Sequence, residues 1–403
     1  MINDLVRIDT RRLNGSAGQH SVFMVVRNER ARLPYHLTYH RALGVDRFFL
    51  VDNGSDDGTT DFLLSQPDCH VFQTFAPFGS ANYGMDWVNA LVERFGIGSW
   101  CLFLDADELF TFPHAEFLSL PEFCRFLDET GSEGVFALLL DMYNRGPISE
   151  AIYRPGTPFL TTCPHFDPGY TIRRKISLSR GESSFAEVEA VGGPRLRRFY
   201  PEFQRAGVWR MALHRALRRL RRHPLGAAFG LRHTRLGGAM PPDLTKIPLL
   251  KGRAGRHWVS NHRCTPLKLS GVRSALLHFK FFSDFHDRSI SEATRGQHWD
   301  GGAEYVRYSS LLAGEPGVSL FFDRSATYRS NDELVRLGIM KSTSSFDAFA
   351  HREYRRTLEG VRQGEETAAS QRFGFDDGVT GRLSTQISDA FGGMIAFPRR
   401  SQL

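Results

Sequence analysis

The chain is poor in cysteine, with five among 403 residues, and none stands in a CxxC pair. Cys69, Cys101, Cys124, Cys163 and Cys264 sit among apolar neighbours, which speaks against a disulfide framework or a thiolate zinc site and for reduced core thiols. Long hydrophobic runs are missing as well. The longest, such as Val135 to Leu140, fall far short of the roughly 20 residues that a membrane span needs. Met1 to Gln19 lacks the apolar stretch of a secretory leader, and no internal repeat is evident. The expectation is a protein of the cytoplasm, soluble or peripheral on the inner face of the cytoplasmic membrane. With 41% apolar residues it can build one large domain with additions, or two domains.

Acidic residues are scarce in one region. Between Arg195 and Arg235, twelve arginines face a single acid, Glu202, a surplus larger than the +7 of the whole chain, so the remainder is net acidic. Arg205 to Arg222 fits a helix carrying Trp209, Leu213, Ala216, Leu217 and Leu220 on one face. Such a helix suits an anionic membrane surface, or else packs on the protein's own core with a solvated basic face. No nucleic-acid motif accompanies the arginines, so nucleic acid is not an expected partner.

Hydrophobic patterning in the first third alternates between two periods. Ser21 to Val26, Asp46 to Val51 and His70 to Phe75 read as buried strands, and helices are expected from about Arg30 to Leu43, through Leu64 and over Ser80 to Phe95. The alternation implies an α/β fold whose mostly parallel sheet gathers its loops at one edge. Trp100 to Leu104 is a further apolar run, and it ends in Asp105, Asp107 and Glu108. Two carboxylates two residues apart at the carboxyl end of a strand can face one hard cation, Mn2+ or Mg2+, and ligands of open α/β sheets gather at such ends. An isolated DxD also serves as a solvated turn. Asp56 and Asp57 read as turn and cap residues, and His36 and His40, one helical turn apart, as surface residues.

VVRNE, VDNGSDDGT, SANYG and FLDADE occur in that order within about 85 residues. Together they resemble the nucleotide-binding half of the family 2 glycosyltransferases with the GT-A fold, and the later LLHFKF is similar to a bacterial subgroup of that family. The resemblance implies a GT-A domain over residues 1–283 with a basic helical insertion at about 195–240. A helical extension with a partly ordered tail would fill 284–403. It also implies an inverting, metal-dependent sugar transfer from a nucleoside-diphosphate sugar, most plausibly a UDP-sugar. The acceptor would be a glycan or a lipid-linked molecule of bacterial surface polysaccharide synthesis. A catalytically silent scaffold of the same fold is the rival reading. A nucleotidyltransferase would need a glycine-rich phosphate loop near the N-terminus, which is absent.

On this resemblance Asp52 would hold the uracil or ribose, with Arg27, Asn28 and Glu29 lining the nucleoside pocket. Asn82 and Gly84 match a further nucleotide-binding motif. For Arg27 to Glu29, Asn82 and Gly84, helix capping is the alternative. Asp105 would serve both nucleotide sugar and cation. His278 of HFK would be a third metal ligand beside Asp105 and Asp107, with Lys280 near the diphosphate, because residues two apart share a strand face; a purely structural histidine is the alternative. Lys246, His262, Arg295 and His298 are either substrate contacts or structural. The base that deprotonates the acceptor is not marked. Asp141, ending an apolar strand, and Glu189, in the loop before Gly192, are the candidates.

Overall fold

The structure is a computed structural model and describes residues 4–13, 18–174, 188–205 and 241–362. Fifteen strands are named in chain order among them. They are β1 (Val6–Arg7), β2 (His20–Val26), β3 (Arg47–Asp52), β4 (Cys69–Gln73), β5 (Trp100–Phe103), β6 (Glu108–Thr111) and β7 (Gly134–Tyr143). β8 (His165–Phe166), β9 (Tyr170–Arg174), β10 (Val188–Gly192) and β11 (Thr245–Lys251) follow, then β12 (Trp258–Ser260), β13 (Arg263–Cys264), β14 (Leu269–His278) and β15 (Ala326–Thr327).

The main sheet runs β1-β4-β3-β2-β5-β11-β7-β14-β6. β4, β3, β2 and β5 are mutually parallel, and β11 is antiparallel to both β5 and β7, so β7 points the same way as β5. β14 is parallel to β7, whereas β6 and β1 run against their neighbours. The sheet is therefore mostly parallel in direction, flanked by helices, as the alternating pattern implied. Every residue of β3 and of β7 is buried. That is why these strands are continuous apolar runs: both faces are covered, and no position faces water.

Chain order and strand order diverge at one place. From β2 the chain moves outward through β3 to β4, and β5 then pairs on the other side of β2. The carboxyl ends of β2 and β5 thus form a topological switch point, the place where open α/β sheets take their ligands. Because β7 and β14 point the same way, Asp52, Asp105, Asp141 and His278 all come to this one edge. β11 and β6 run oppositely, so their starts, Lys246 and Glu108, arrive there too.

The expected boundary at 283/284 is not where the compact unit ends. That unit runs Met1–Asp347. The helices Phe285–Arg295 and Ala303–Gly314 share a core with Tyr143, Phe199 and Phe281, and polar links such as Arg32 Nη2 to Asp284 Oδ1, 2.8 Å, tie them to the sheet edge. A second unit, Ala348–Leu403, is described only to Arg362, as the continuation of a helix that begins at Ser344. All five cysteines are free and buried.

His36 and His40 are not surface residues. Both are fully buried with rings 4.2 Å apart. His40 Nδ1 donates to the His36 carbonyl at 2.9 Å while its Nε2 accepts from Phe110 N at 3.3 Å. A neutral imidazole fills both roles, and burial pushes its pKa down to about 4. Sequence spacing placed these residues on one helix face but did not say that this face meets β6.

Candidate active site

On the β2–β4 side, short polar turns lock into one another. Asn28 has φ 55°, and its side chain donates to Asp56 Oδ1 at 2.8 Å and accepts from Asp56 N at 2.9 Å. Asp57 accepts from Arg30 N and from Thr59 N, each at 3.0 Å, the turn-and-cap role expected of it. Asp52 is fully buried. Its Oδ1 takes the Ser55 amide and hydroxyl, and its Oδ2 takes Thr60 Oγ1 at 2.7 Å and Gln73 Nε2 at 3.2 Å. Asp52 therefore shapes the turn in this structure, and only displacement of a partner such as Gln73 would free an oxygen for a nucleoside.

Arg27 is exposed and donates to Asn53 O at 3.2 Å. Glu29, by contrast, is buried: Arg288 grips its two carboxylate oxygens, at 3.0 Å on one side and 2.5 Å on the other, and Arg32 lies 3.6 Å away. Asn82 donates to Val259 O at 3.3 Å, and no side-chain cap closes the following helix Met85–Phe95. Asn82, Tyr83 and Gly84 are three successive left-handed residues. At Gly84 a Cβ would lie 2.9 Å from both Phe78 and Val25, so only glycine fits under that strand end. Arg295 Nη2 reaches Asn53 Oδ1 at 2.8 Å, and His298 pairs with Glu292 at 2.8 Å. The RGQHW segment thus borders the VDNGS turn, a neighbourhood that sequence spacing alone did not reveal. His262, by contrast, accepts a place beside Thr245, its Nδ1 2.9 Å from the Thr245 carbonyl.

The other side is an ionic network. Lys246 Nζ lies between Glu108, at 2.6 and 2.8 Å, and Asp105, at 3.1 Å. Burial alone would lower the lysine pKa, but Asp105 and Glu108 raise it, so the ammonium is kept. Asp105 remains 45% exposed at its side chain and Lys246 only 1%. Across the loop His278 Nδ1 meets Asp141 Oδ1 at 2.7 Å, and His278 Nε2 lies 3.5 Å from Asp107 Oδ2. Burial works against the imidazolium, yet Asp107 and then Asp141 raise its pKa to about 9. Burial likewise works against ionised Asp107, but His278, Arg288 and Arg32 hold its pKa well below the carboxylate range.

The three expected metal ligands are therefore not gathered as one set. Among the described residues no three His, Cys, Asp or Glu side chains form a complete cation cage. Asp105 is turned to Lys246, because that lysine answers the buried charge of Glu108. Asp107 and His278 do come together. At 3.5 Å the two form an ion pair while the ring carries both protons, and Nε2 would have to give up its proton before it could ligate a cation. Two protein donors are what a cation shared with substrate phosphates asks of a protein. Asp141 holds the other ring nitrogen and so fixes which way the imidazole faces.

That arrangement also answers the question of Asp141 as a base. It is fully buried, with Arg195 Nε at 2.7 Å on Oδ2 and His278 on Oδ1, so no oxygen is turned to an acceptor. Glu189 was expected in a loop and instead lies within β10, opposite Arg173 of β9; its side chain is outside the described residues. Lys280 follows the end of β14, where strand alternation stops. Its Nζ turns to Tyr305 Oη at 3.4 Å and to Glu304 at 3.9 Å.

The start of the basic stretch is paired with carboxylates, and its first arginine is buried. Arg195 pairs with Asp141, Arg197 with Asp167 at 3.0 Å, and Arg198 with Glu315. The expected amphipathic helix over Arg205 to Arg222, and the rest of the insertion to 240, lie outside the described residues apart from Arg205 itself. No described helix is long and apolar enough to cross a membrane.

No protein-family model matches the chain, and no curated protein does. Among solved structures it is similar to a 4-diphosphocytidyl-2C-methyl-D-erythritol synthase, at 15% identity and a TM-score of 0.22, over 32% of this chain and 63% of that one. It is also similar to a putative glucose-1-phosphate thymidylyltransferase from Bacillus anthracis, at 10% identity and a TM-score of 0.22, over 34% of this chain and 64% of that one. The chain thus spans just under two thirds of each of those structures.

Proposed function

We propose that the protein is a glycosyltransferase that moves a sugar from a nucleoside-diphosphate sugar, a UDP-sugar on the motif resemblance, to a hydroxyl of a glycan or lipid-linked acceptor. The observation that carries this reading is the meeting of Asp107, His278 and Asp141 at a switch point whose other wall is the VDNGSDDGT turn.

Breaking the bond from sugar to diphosphate leaves negative charge on the departing oxygens, and fixed positive groups must offset it. Asp107 and the neutral form of His278 would hold Mn2+ or Mg2+, which would supply positive charge to offset that of the departing diphosphate. Asp141 keeps His278 oriented, with Nε2 turned toward Asp107. Arg195 in turn fixes Asp141. Arg288 and Arg32 add positive charge beside Asp107. Lys246 keeps Glu108 and Asp105 from repelling an anionic donor. With Asp141 engaged, Glu189 is the remaining candidate for the acceptor's base. The anionic membrane surface stays a proposal for the insertion beyond Arg205.

The test is a donor panel of UDP-, GDP- and dTDP-sugars with Mn2+ or Mg2+, following nucleoside diphosphate release with and without glycan acceptors. Release from one donor class supports transfer. Tight nucleotide binding with no release from any donor would support the silent scaffold instead.

A further inference from the structure

Phe75 is the most exposed large apolar side chain among the described residues, at 79%, against 71% for Ile152 and 60% for Val6. Single exposed apolar residues are ordinary, but the backbone that presents this one is built. Asn53 Nδ2 donates to Thr74 O at 3.3 Å and to Ala76 O at 3.0 Å, holding the carbonyls on either side of Phe75. Thr74 N donates to Asp52 O at 3.0 Å, and Ala76 N to Thr74 Oγ1 at 3.2 Å. The ring lies against Gly54, which has φ 69°; a Cβ there would stand 3.1 Å from Phe75 Cδ1, so a larger residue would crowd the ring. Arg27, exposed on the neighbouring strand end, donates to the carbonyl of the preceding Asn53. An exposed ring and an exposed guanidinium therefore flank one short turn.

Resting on the nucleotide-sugar reading above, we propose that Phe75 is the platform on which the nucleobase of the donor stacks, with Arg27 beside it. β4 is three strand spacings from β5, roughly 14 Å, a reach that an extended nucleoside diphosphate covers when its phosphates lie at Asp107. Stacking uses the face of a base and tolerates any base, so Phe75 supplies affinity and leaves the choice of base to polar groups of the turn.

Calorimetric titration of the full chain with UDP, with GDP and with inorganic pyrophosphate as the base-free probe, all in Mn2+, tests this. In Phe75→Ala the nucleoside diphosphate that binds the wild type should bind roughly tenfold more weakly or worse, with pyrophosphate unchanged. Phe75→Trp should keep nucleotide affinity. Equal nucleotide affinity in wild type and Phe75→Ala overturns the platform while leaving the nucleotide-sugar reading intact, and so does an equal loss for pyrophosphate. A wild type that binds pyrophosphate but neither nucleotide overturns both.

Discussion

The two walls of the switch point are built differently. Around Asp52 and Asn28, Glu29 and its distant partner Arg288 apart, the partners are neutral donors and carboxylates of two short turns, Arg27 to Arg30 and Asp52 to Thr60, with Gln73 of β4. Around Asp105, Asp107 and Asp141 the partners are buried charges brought from afar, Lys246 from 138 residues beyond Glu108 and His278 from 137 beyond Asp141. The first wall holds a shape and can be altered with modest loss. In the second, each charge is tolerable only because its partner is present, so removing one member leaves an uncompensated charge in a dry place.

The largest effect is expected where the second wall meets substrate. Asp107→Ala should cut donor turnover by on the order of 100-fold or more, because the charge offset at the leaving group goes with it. Asn28→Ala should leave turnover within several-fold. Initial rates of nucleoside diphosphate release measure both, and similar losses would erase the distinction between the walls.

Stability should separate them too. Lys246→Met leaves Glu108, whose pKa burial already raises to about 7, to take up a proton, and should cost about 1–3 kcal/mol for the lost pairing, read from the urea midpoint. Adding Glu108→Leu should restore much of that loss, and a double variant no more stable than Lys246→Met would show that the ion pair is not what the lysine serves.

The buried His40 gives a pH signature behind the same wall. Its folded pKa of about 4 lies below the ordinary 6.5, so the unfolded chain binds the proton first as pH falls. Its contribution is complete above about pH 6.5 and is lost toward pH 4, on the order of 3 kcal/mol. Denaturation midpoints at pH 7 and pH 4.5 should converge in His40→Gln relative to wild type, and parallel behaviour of the two would count against a neutral, buried His40.

The smallest effect belongs to the first wall. Asn28→Ala removes two exposed side-chain hydrogen bonds to Asp56, one to its carboxylate and one from its amide, and should cost about 1 kcal/mol of stability. Asn28→Gly should recover part of it by relieving the left-handed backbone at that position. A loss equal to that of Lys246→Met would mean the turns are no more local than the ionic wall.

Much of the first wall was legible in the sequence. Apolar runs located β2, β3, β4 and β5, and Asp56 and Asp57 behaved as their turn positions required. The misreadings share one cause. Arg195 read as the start of a basic surface patch, yet it is buried against Asp141; His36 and His40 read as exposed, yet they are covered by β6. Lys280 followed strand alternation in the sequence, but pairing stops at His278. Arg195 and the two histidines were assigned to water because what covers them is remote in sequence, and the end of strand pairing before Lys280 was likewise not marked locally.

By itself, then, the sequence determined the order of strands and helices from β2 to β5, the acidic end of β5 and the glycine-bearing turns, since period, turn chemistry and close contact act over a few residues. Only the tertiary structure decided which charges meet: that Lys246 answers Glu108, that Arg195 and His278 share Asp141, and that Asp107 rather than Asp105 faces the histidine. The physical reason is that a buried charge is specified by what neutralises it. That partner is set by which strand ends the sheet brings to one edge.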